Sequence, residues 1–157
     1  MKRSSELASA AMSDTVLALF HASNSLMAAG DRLVAPLGLT SSRWQVLGTI
    51  VAAERPQPVA WLARDMGVNR QNVQRVVNDL MREGFVSTAA NPHHRRASLV
   101  VLTEKGKDAY DQAMALNGPW MRQLTAGIEV DDIRAMQRVL HSLRARLDTD
   151  VASADGE

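Results

Sequence analysis

Cysteine is absent from all 157 residues. Its absence removes disulfides, thiolate metal sites and cysteine-based redox sensing in one step. Aromatic residues make up only 4% of a chain that is 46% hydrophobic, so leucine, valine, alanine and methionine must fill the core. No apolar run approaches the roughly 18 residues of a membrane span. The basic start at Lys2 and Arg3 is interrupted by Glu6 and Asp14, which spoils a signal-peptide core. A cytoplasmic protein with no membrane partner is therefore expected. A Gly-rich phosphate loop is missing, as is any Ser/His/Asp arrangement at a recognisable spacing. No enzyme chemistry and no cofactor are expected. The four histidines, His21, His93, His94 and His141, fall on three different elements, and none shows the i, i+4 pairing of a zinc helix. No metal site is expected, although a cluster across a dimer, for example His21 with His141, remains open as an alternative.

The chain is long enough for one domain, or one domain plus a dimerisation layer. Its net charge is only +1, but the distribution is uneven. Residues 58–107 carry eight basic residues against four acidic ones, net +4, and the remainder is net −3. A basic middle between acidic ends is the footprint of a polyanionic partner.

Within that middle, Asn69 to Glu83 reads as a helix. Val73, Val76, Val77 and Leu80 recur at i, i+3, i+4 and i+7 and form one apolar stripe. Gln71, Arg75, Asn78 and Arg82 fall on the opposite face, where they would donate to phosphates and read base edges. Before it, Pro56-Gln57-Pro58 breaks the preceding helix and pre-sets a short one from Val59 to Met66. Gly67 supplies a tight turn, Val68 is placed to plug the angle between the two helices, and Asn69 is a good N-cap. Short helix, glycine turn, longer polar-faced helix is the helix-turn-helix arrangement. After Gly84, the runs Phe85–Ala89 and Ala97–Leu102 flank a turn-rich basic tip, Asn91-Pro92-His93-His94-Arg95-Arg96. They read as a hairpin, a wing that carries Arg95 and Arg96 outward.

Flanking helices complete the chain. Residues 5–29 form a long helix ending near Gly30, with Val16, Phe20, Ser23 and Met27, widened by Leu19 and Leu26, as its buried side. Thr40 or Ser41 caps the next helix, Arg43 to about Glu54, which buries Trp44, Val46, Leu47, Ile50 and Val51. Thr103 opens a later helix, which Gly118-Pro119 must kink or interrupt. In the last helix Ile133, Met136, Leu140, Leu143 and Leu147 are spaced 3, 4, 3, 4. Packed with the first helix of the same and of a second subunit, that seam would build a dimer. The expected class is mostly α with a small β-hairpin wing, a winged helix-turn-helix lobe plus a helical dimerisation layer.

In order and spacing, LTSSRWQVLGTI, WLARDMGVNRQNVQRVVNDLMREGFV and NPHHRRASLVVLTEKG resemble the MarR family of winged-helix transcription regulators. The resemblance covers roughly residues 33–110, and the terminal helices agree in length and pattern. It implies a single MarR-like domain over 1–157. About 5–38 and 108–150 would form the dimerisation layer, and about 39–107 the DNA-binding lobe. It also implies a homodimer on a palindromic operator in double-stranded DNA, repressing nearby genes and released by a small aromatic effector. In this resemblance Asn69, Arg70, Gln71, Asn72, Gln74 and Arg75 lie nearest the bases, with Asn78 and Arg82 further along the same helix and Arg95 and Arg96 at the wing tip. The effector pocket would be lined by Phe20, His21, Asn24 and Trp44, with Met27 and Leu47 beside them; His21 and Asn24, polar groups on the buried side of the first helix, would need partners there. One departure stands out. The family's wing reads Asp-x-Arg, and His94 occupies the Asp position here, which implies a looser wing or one that gains charge in acid. A histidine-based metal-responsive regulator and a winged-helix protein-interaction module without DNA binding are the alternatives.

Overall fold

The computed structural model describes residues 2–94 and 96–154, with side chains over 5–94 and 96–148. Arg95 lies outside them. Six helices and three short strands follow in order: α1 (Lys2–Val34), a 3-10 turn (Ala35–Leu37), α2 (Ser41–Ala52), β1 (Gln57–Pro58), α3 (Val59–Met66), α4 (Arg70–Arg82), β2 (Val86–Ala89), β3 (Leu99–Leu102), α5 (Glu104–Leu124) and α6 (Val130–Ala154). They divide into two compact units, residues 1–117 and 118–157.

The core of the first unit gathers Val46 and Leu47 of α2, Leu62 and Ala63 of α3, and Val73, Val77 and Leu80 of α4. Phe85, Val86 and Val100 close it from the wing side. The valine and leucine stripe of α4 is therefore buried, with Val76 partly covered at its edge. Caps set the ends of these helices. The Arg43 amide donates to Thr40 Oγ1 at 3.3 Å, and the Gln71 amide donates to Asn69 Oδ1 at 2.7 Å. Each such cap is worth about 1 kcal/mol. Gly67 adopts φ 67°, a left-handed conformation that ends α3 and lets the chain turn directly into α4.

Several local expectations are corrected. The chain at Pro56-Gln57-Pro58 does more than break a helix: Gln57 and Pro58 pair with Val100 and Leu99, so the sheet has three strands in the order β1-β3-β2. Pro58 lacks an N–H and is tolerated because β1 is an edge strand. Helix α1 does not stop at Gly30. It runs through that buried glycine to Val34, and Pro36 sits in the following 3-10 turn. Val68 does not plug the helix angle but is 46% exposed, and Val51 is exposed at the end of α2. Of the kink or interruption expected at Gly118-Pro119, the interruption does not occur: α5 runs from Glu104 to Leu124 with Pro119 inside it. A proline there forgoes one hydrogen bond, and its flanking turns carry the helix on.

The apolar stripe of α1 is only partly covered, at Val16 and Met27. Phe20 is 62% exposed, and Leu19 and Leu26 are exposed with it. His21 and Asn24 are exposed too, so neither needs a buried partner within one chain. On α6, Met136 and Leu147 are 57% and 64% exposed, whereas Ile133, Leu140 and Leu143 are partly covered.

One close approach fixes where α5 begins. Thr103 Oγ1 lies 2.7 Å from the Gly84 carbonyl and accepts the Gly106 amide at 3.1 Å. A Cβ placed on Gly106 would overlap the Phe85 carbonyl. Gly118 has only the flexible end of Arg122 within reach, 3.7 Å away. Gly106→Ala should therefore cost roughly 1–3 kcal/mol by overpacking, whereas Gly118→Ala should be neutral or stabilising by up to about 1 kcal/mol. Urea unfolding of both variants checks this; equal effects would contradict the tight contact.

Candidate nucleic-acid interface

The polar face of α4 is assembled by the burial of its other face. With Val73, Val77 and Leu80 pointed into the core, Asn69, Arg70, Gln71, Gln74, Arg75 and Asn78 are all exposed. These six side chains line one shallow hollow of about 570 Å³. Asn72 and Arg82, expected to act with them, are exposed but lie outside its lining. Within the hollow Gln74 Nε2 donates to Asn78 Oδ1 at 2.9 Å, which orders two amide groups one turn apart.

Charge on α4 is sorted by ion pairing. Its carboxylate Asp79 meets Arg82 at 2.6 Å. Glu83, the residue capping the C-terminus, is held by the Arg43 guanidinium at 2.7 and 3.1 Å in a two-pronged pair. Arg43 also donates to the Gly38 carbonyl at 3.1 Å. Both acids beside the helix are thus matched by Arg82 and Arg43, while the hollow carries Arg70 and Arg75 and no carboxylate. The positive end of the α4 dipole lies at the same end.

The last turn of α4 is gripped from several sides. Lys105 Nζ donates to the Glu83 carbonyl at 2.6 Å and sits 4.3 Å from the Phe85 ring centroid. The Thr103 amide donates to the Phe85 carbonyl at 3.1 Å. Sequence reasoning treated Thr103 only as a helix cap and did not single out Arg43 or Lys105. Nothing in their local spacing marks them, because their partners are 40 and 22 residues away.

At the wing, β2 and β3 pair antiparallel from Val86–Leu102 to Ala89–Leu99. The tip is organised by Asn91. Its Oδ1 accepts the His93 and His94 amides at 3.0 and 3.2 Å, and its Nδ2 donates to the Ala97 carbonyl at 2.9 Å. Asn91 was also missed, although Asn-Pro after a strand is a signal for this kind of side-chain turn. His93, His94 and Arg96 are exposed on the tip. On α3, the Arg55 and Arg64 guanidinium groups lie 5.9 and 5.4 Å from the ring centroid of the exposed Trp61.

The residues expected to hold an effector are spread over α1 and α2. Phe20, His21 and Asn24 are exposed on α1, and Trp44 is half-buried against the core. Among the described residues no three His, Cys, Asp or Glu side chains gather as a metal site, and no helix is long and apolar enough to cross a membrane.

A glycine-turned helix pair followed by a two-stranded wing, its sheet completed by β1, defines a winged helix-turn-helix protein. Residues 37–97 match the model of the MarR family. The transcriptional activatory protein BadR of Rhodopseudomonas palustris is 31% identical over 144 residues, 88% of this chain and 79% of its own. The structure of the Mycobacterium tuberculosis regulator MosR in complex with DNA superposes with a TM-score of 0.70 at 25% identity, over 83% of this chain and 96% of that one. CouR from Rhodococcus jostii RHA1, bound to p-coumaroyl-CoA, shares the fold with a TM-score of 0.73 at 23% identity, over 83% and 91%. The chain belongs to the MarR family, whose members are transcription regulators and not enzymes.

The Asn91 bonds generate a local prediction. Asn91→Ala should speed amide exchange at His93 and His94 while changing global stability by less than about 1 kcal/mol, since the tip is exposed. Exchange measured by NMR beside a urea titration checks both; unchanged exchange would mean that Asn91 does not order the tip.

Proposed function

We propose that this regulator binds a palindromic operator in double-stranded DNA as a homodimer, reads it with the outward face of α4, and represses genes near the site. The observation that carries the reading is the carboxylate-free hollow on α4, with Arg70 and Arg75 among amide side chains and the neighbouring acids Asp79 and Glu83 already paired. Gln71, Asn72, Gln74 and Arg75 are assigned to base edges in the major groove. Asn69, Arg70, Asn78 and Arg82 serve the flanking phosphates, and Arg95 and Arg96 carry the wing to the backbone or minor groove. The solved DNA complex of MosR supports DNA as the partner.

The dimer is assigned to Ile133, Met136, Leu140, Leu143 and Leu147 of α6 together with the exposed apolar stripe of α1. Large exposed apolar side chains on both helices support a partner there. Half-sites one helical turn apart, about 34–36 Å, demand a fixed spacing of the two α4 helices. A small aromatic effector received at Phe20, His21, Asn24 and Trp44 would alter that spacing and release DNA. CouR, bound to an aromatic acyl thioester, supports this class of ligand. Activation is the second reading, favoured by the similarity to BadR.

Fluorescence anisotropy with DNA from upstream of the protein's own gene, beside a scrambled duplex and across a salt series, tests the proposal. Selective binding that weakens steeply with salt is expected. Equal, weak binding to both duplexes would contradict it. Arg75→Ala should lose roughly 1–3 kcal/mol of discrimination between the two duplexes without lowering stability; a large stability loss would mean that the α4 face is buried in the working protein. Leu140→Asp should give a monomer by light scattering and abolish selective binding, and an unchanged dimer would refute the assigned layer.

A further inference from the structure

The wing hairpin carries two arginines and no acid. From Gly84 to Thr103 there is no Asp or Glu, and the nearest carboxylates in sequence are Glu83, paired with Arg43, and Glu104 at the base of the hairpin. Into this stretch the chain sets two adjacent histidines. Both backbone amides are tied to one acceptor, Asn91 Oδ1, at 3.0 and 3.2 Å, and both side chains are exposed. The Ala97 amide returns to the His94 carbonyl at 3.0 Å, and Asn91 Nδ2 reaches the Ala97 carbonyl. His93 and His94 are therefore held at a fixed place on the tip by an uncharged side chain.

The three strands beneath the tip carry no charged residue. The sheet beneath the tip is Val86-Ser87-Thr88-Ala89, Leu99-Val100-Val101-Leu102 and Gln57-Pro58. Glu54 and Arg55 precede β1, beyond the Gln57 end that pairs with Val100 away from the tip. Within the tip the described charged neighbour is Arg96. These strands and the tip offer an imidazolium no carboxylate acceptor. A phosphate is such an acceptor, because an imidazolium donates from both ring nitrogens and gains a charge-assisted hydrogen bond.

We propose that His93 and His94 are further DNA-contacting residues that take up protons as they meet the phosphate backbone, so that this regulator grips DNA more tightly as pH falls. The inference rests on the proposed docking of the wing. Protons bound in the complex and not in the free protein make affinity rise with acidity, up to tenfold per pH unit for each proton. Each charge gained also releases counterions and steepens the salt dependence by about 0.9.

Anisotropy with the upstream duplex that the full-length protein binds best, at about pH 7.5 and about pH 6.0, reads this directly. The expected result is an affinity at least about tenfold higher at the lower pH, with a salt slope steeper by about one to two units. In the His93→Gln/His94→Gln variant the ratio of the two Kd values should fall to within about twofold, an estimate for a tip with no titrating side chain. A pH effect that persists in that variant would belong to His21, His141 or the DNA, and would overturn the inference. Selective binding by the wild type with no pH effect would overturn it while leaving the docking proposal in place. No binding at either pH would overturn both.

Discussion

The turn Glu83-Gly84-Phe85 is where the DNA-binding lobe is tied together. Arg43 reaches it from α2, Lys105 from the start of α5, and Thr103 from the end of β3. Gly106 contributes by having no side chain, which lets α5 begin against the Phe85 carbonyl. Each polar contact is modest alone, since a half-exposed ion pair is worth little more than about 1 kcal/mol. Their effect is positional. They fix the last turn of α4 relative to α2, the wing and α5, so a rigid thirteen-residue helix can project its first turns outward. Buried Val73, Val77 and Leu80 then fix its rotation, and that rotation decides which side chains face out.

The same arrangement separates charges by task. Acids near α4 lie at its C-terminal end and are matched to Arg82 and Arg43, where they steady the fold. Free cations and amides lie at the N-terminal half, alongside the positive end of the helix dipole. The chain as a whole is almost neutral. Affinity for a polyanion would then come from where its charges sit rather than from their sum, and the reading by Gln71, Gln74 and Arg75 would depend on geometry supplied from the opposite end of the helix.

Much of this was legible in the sequence because it is periodic and local. The valine and leucine stripe, the Asn69 and Thr40 caps and the Gly67 turn each act within a few residues, and α3, α4 and the hairpin follow from them. What was hidden depends on distant partners or on a second chain. Strand β1 is two residues of an unpromising Gln-Pro, defined only by pairing with Val100 and Leu99. Arg43 and Lys105 acquire meaning from Glu83, which no spacing rule connects to them. The stripe of α1 predicted burial, and one chain leaves Phe20 and its neighbours open. A hydrophobic period says that a face wants cover; it does not say whose. At the wing, the tip is held by Asn91 through backbone amides, an anchor that does not depend on residue 94's side chain.

The structure of the protein bound to its selectively recognised duplex tests the central claim most directly. The account predicts α4 entering the major groove by its N-terminal half, with Gln71, Gln74 and Arg75 within hydrogen-bonding reach of base edges and the Glu83–Phe85 turn unchanged. A complex in which that face points to solvent, with DNA held elsewhere on the lobe, would contradict it.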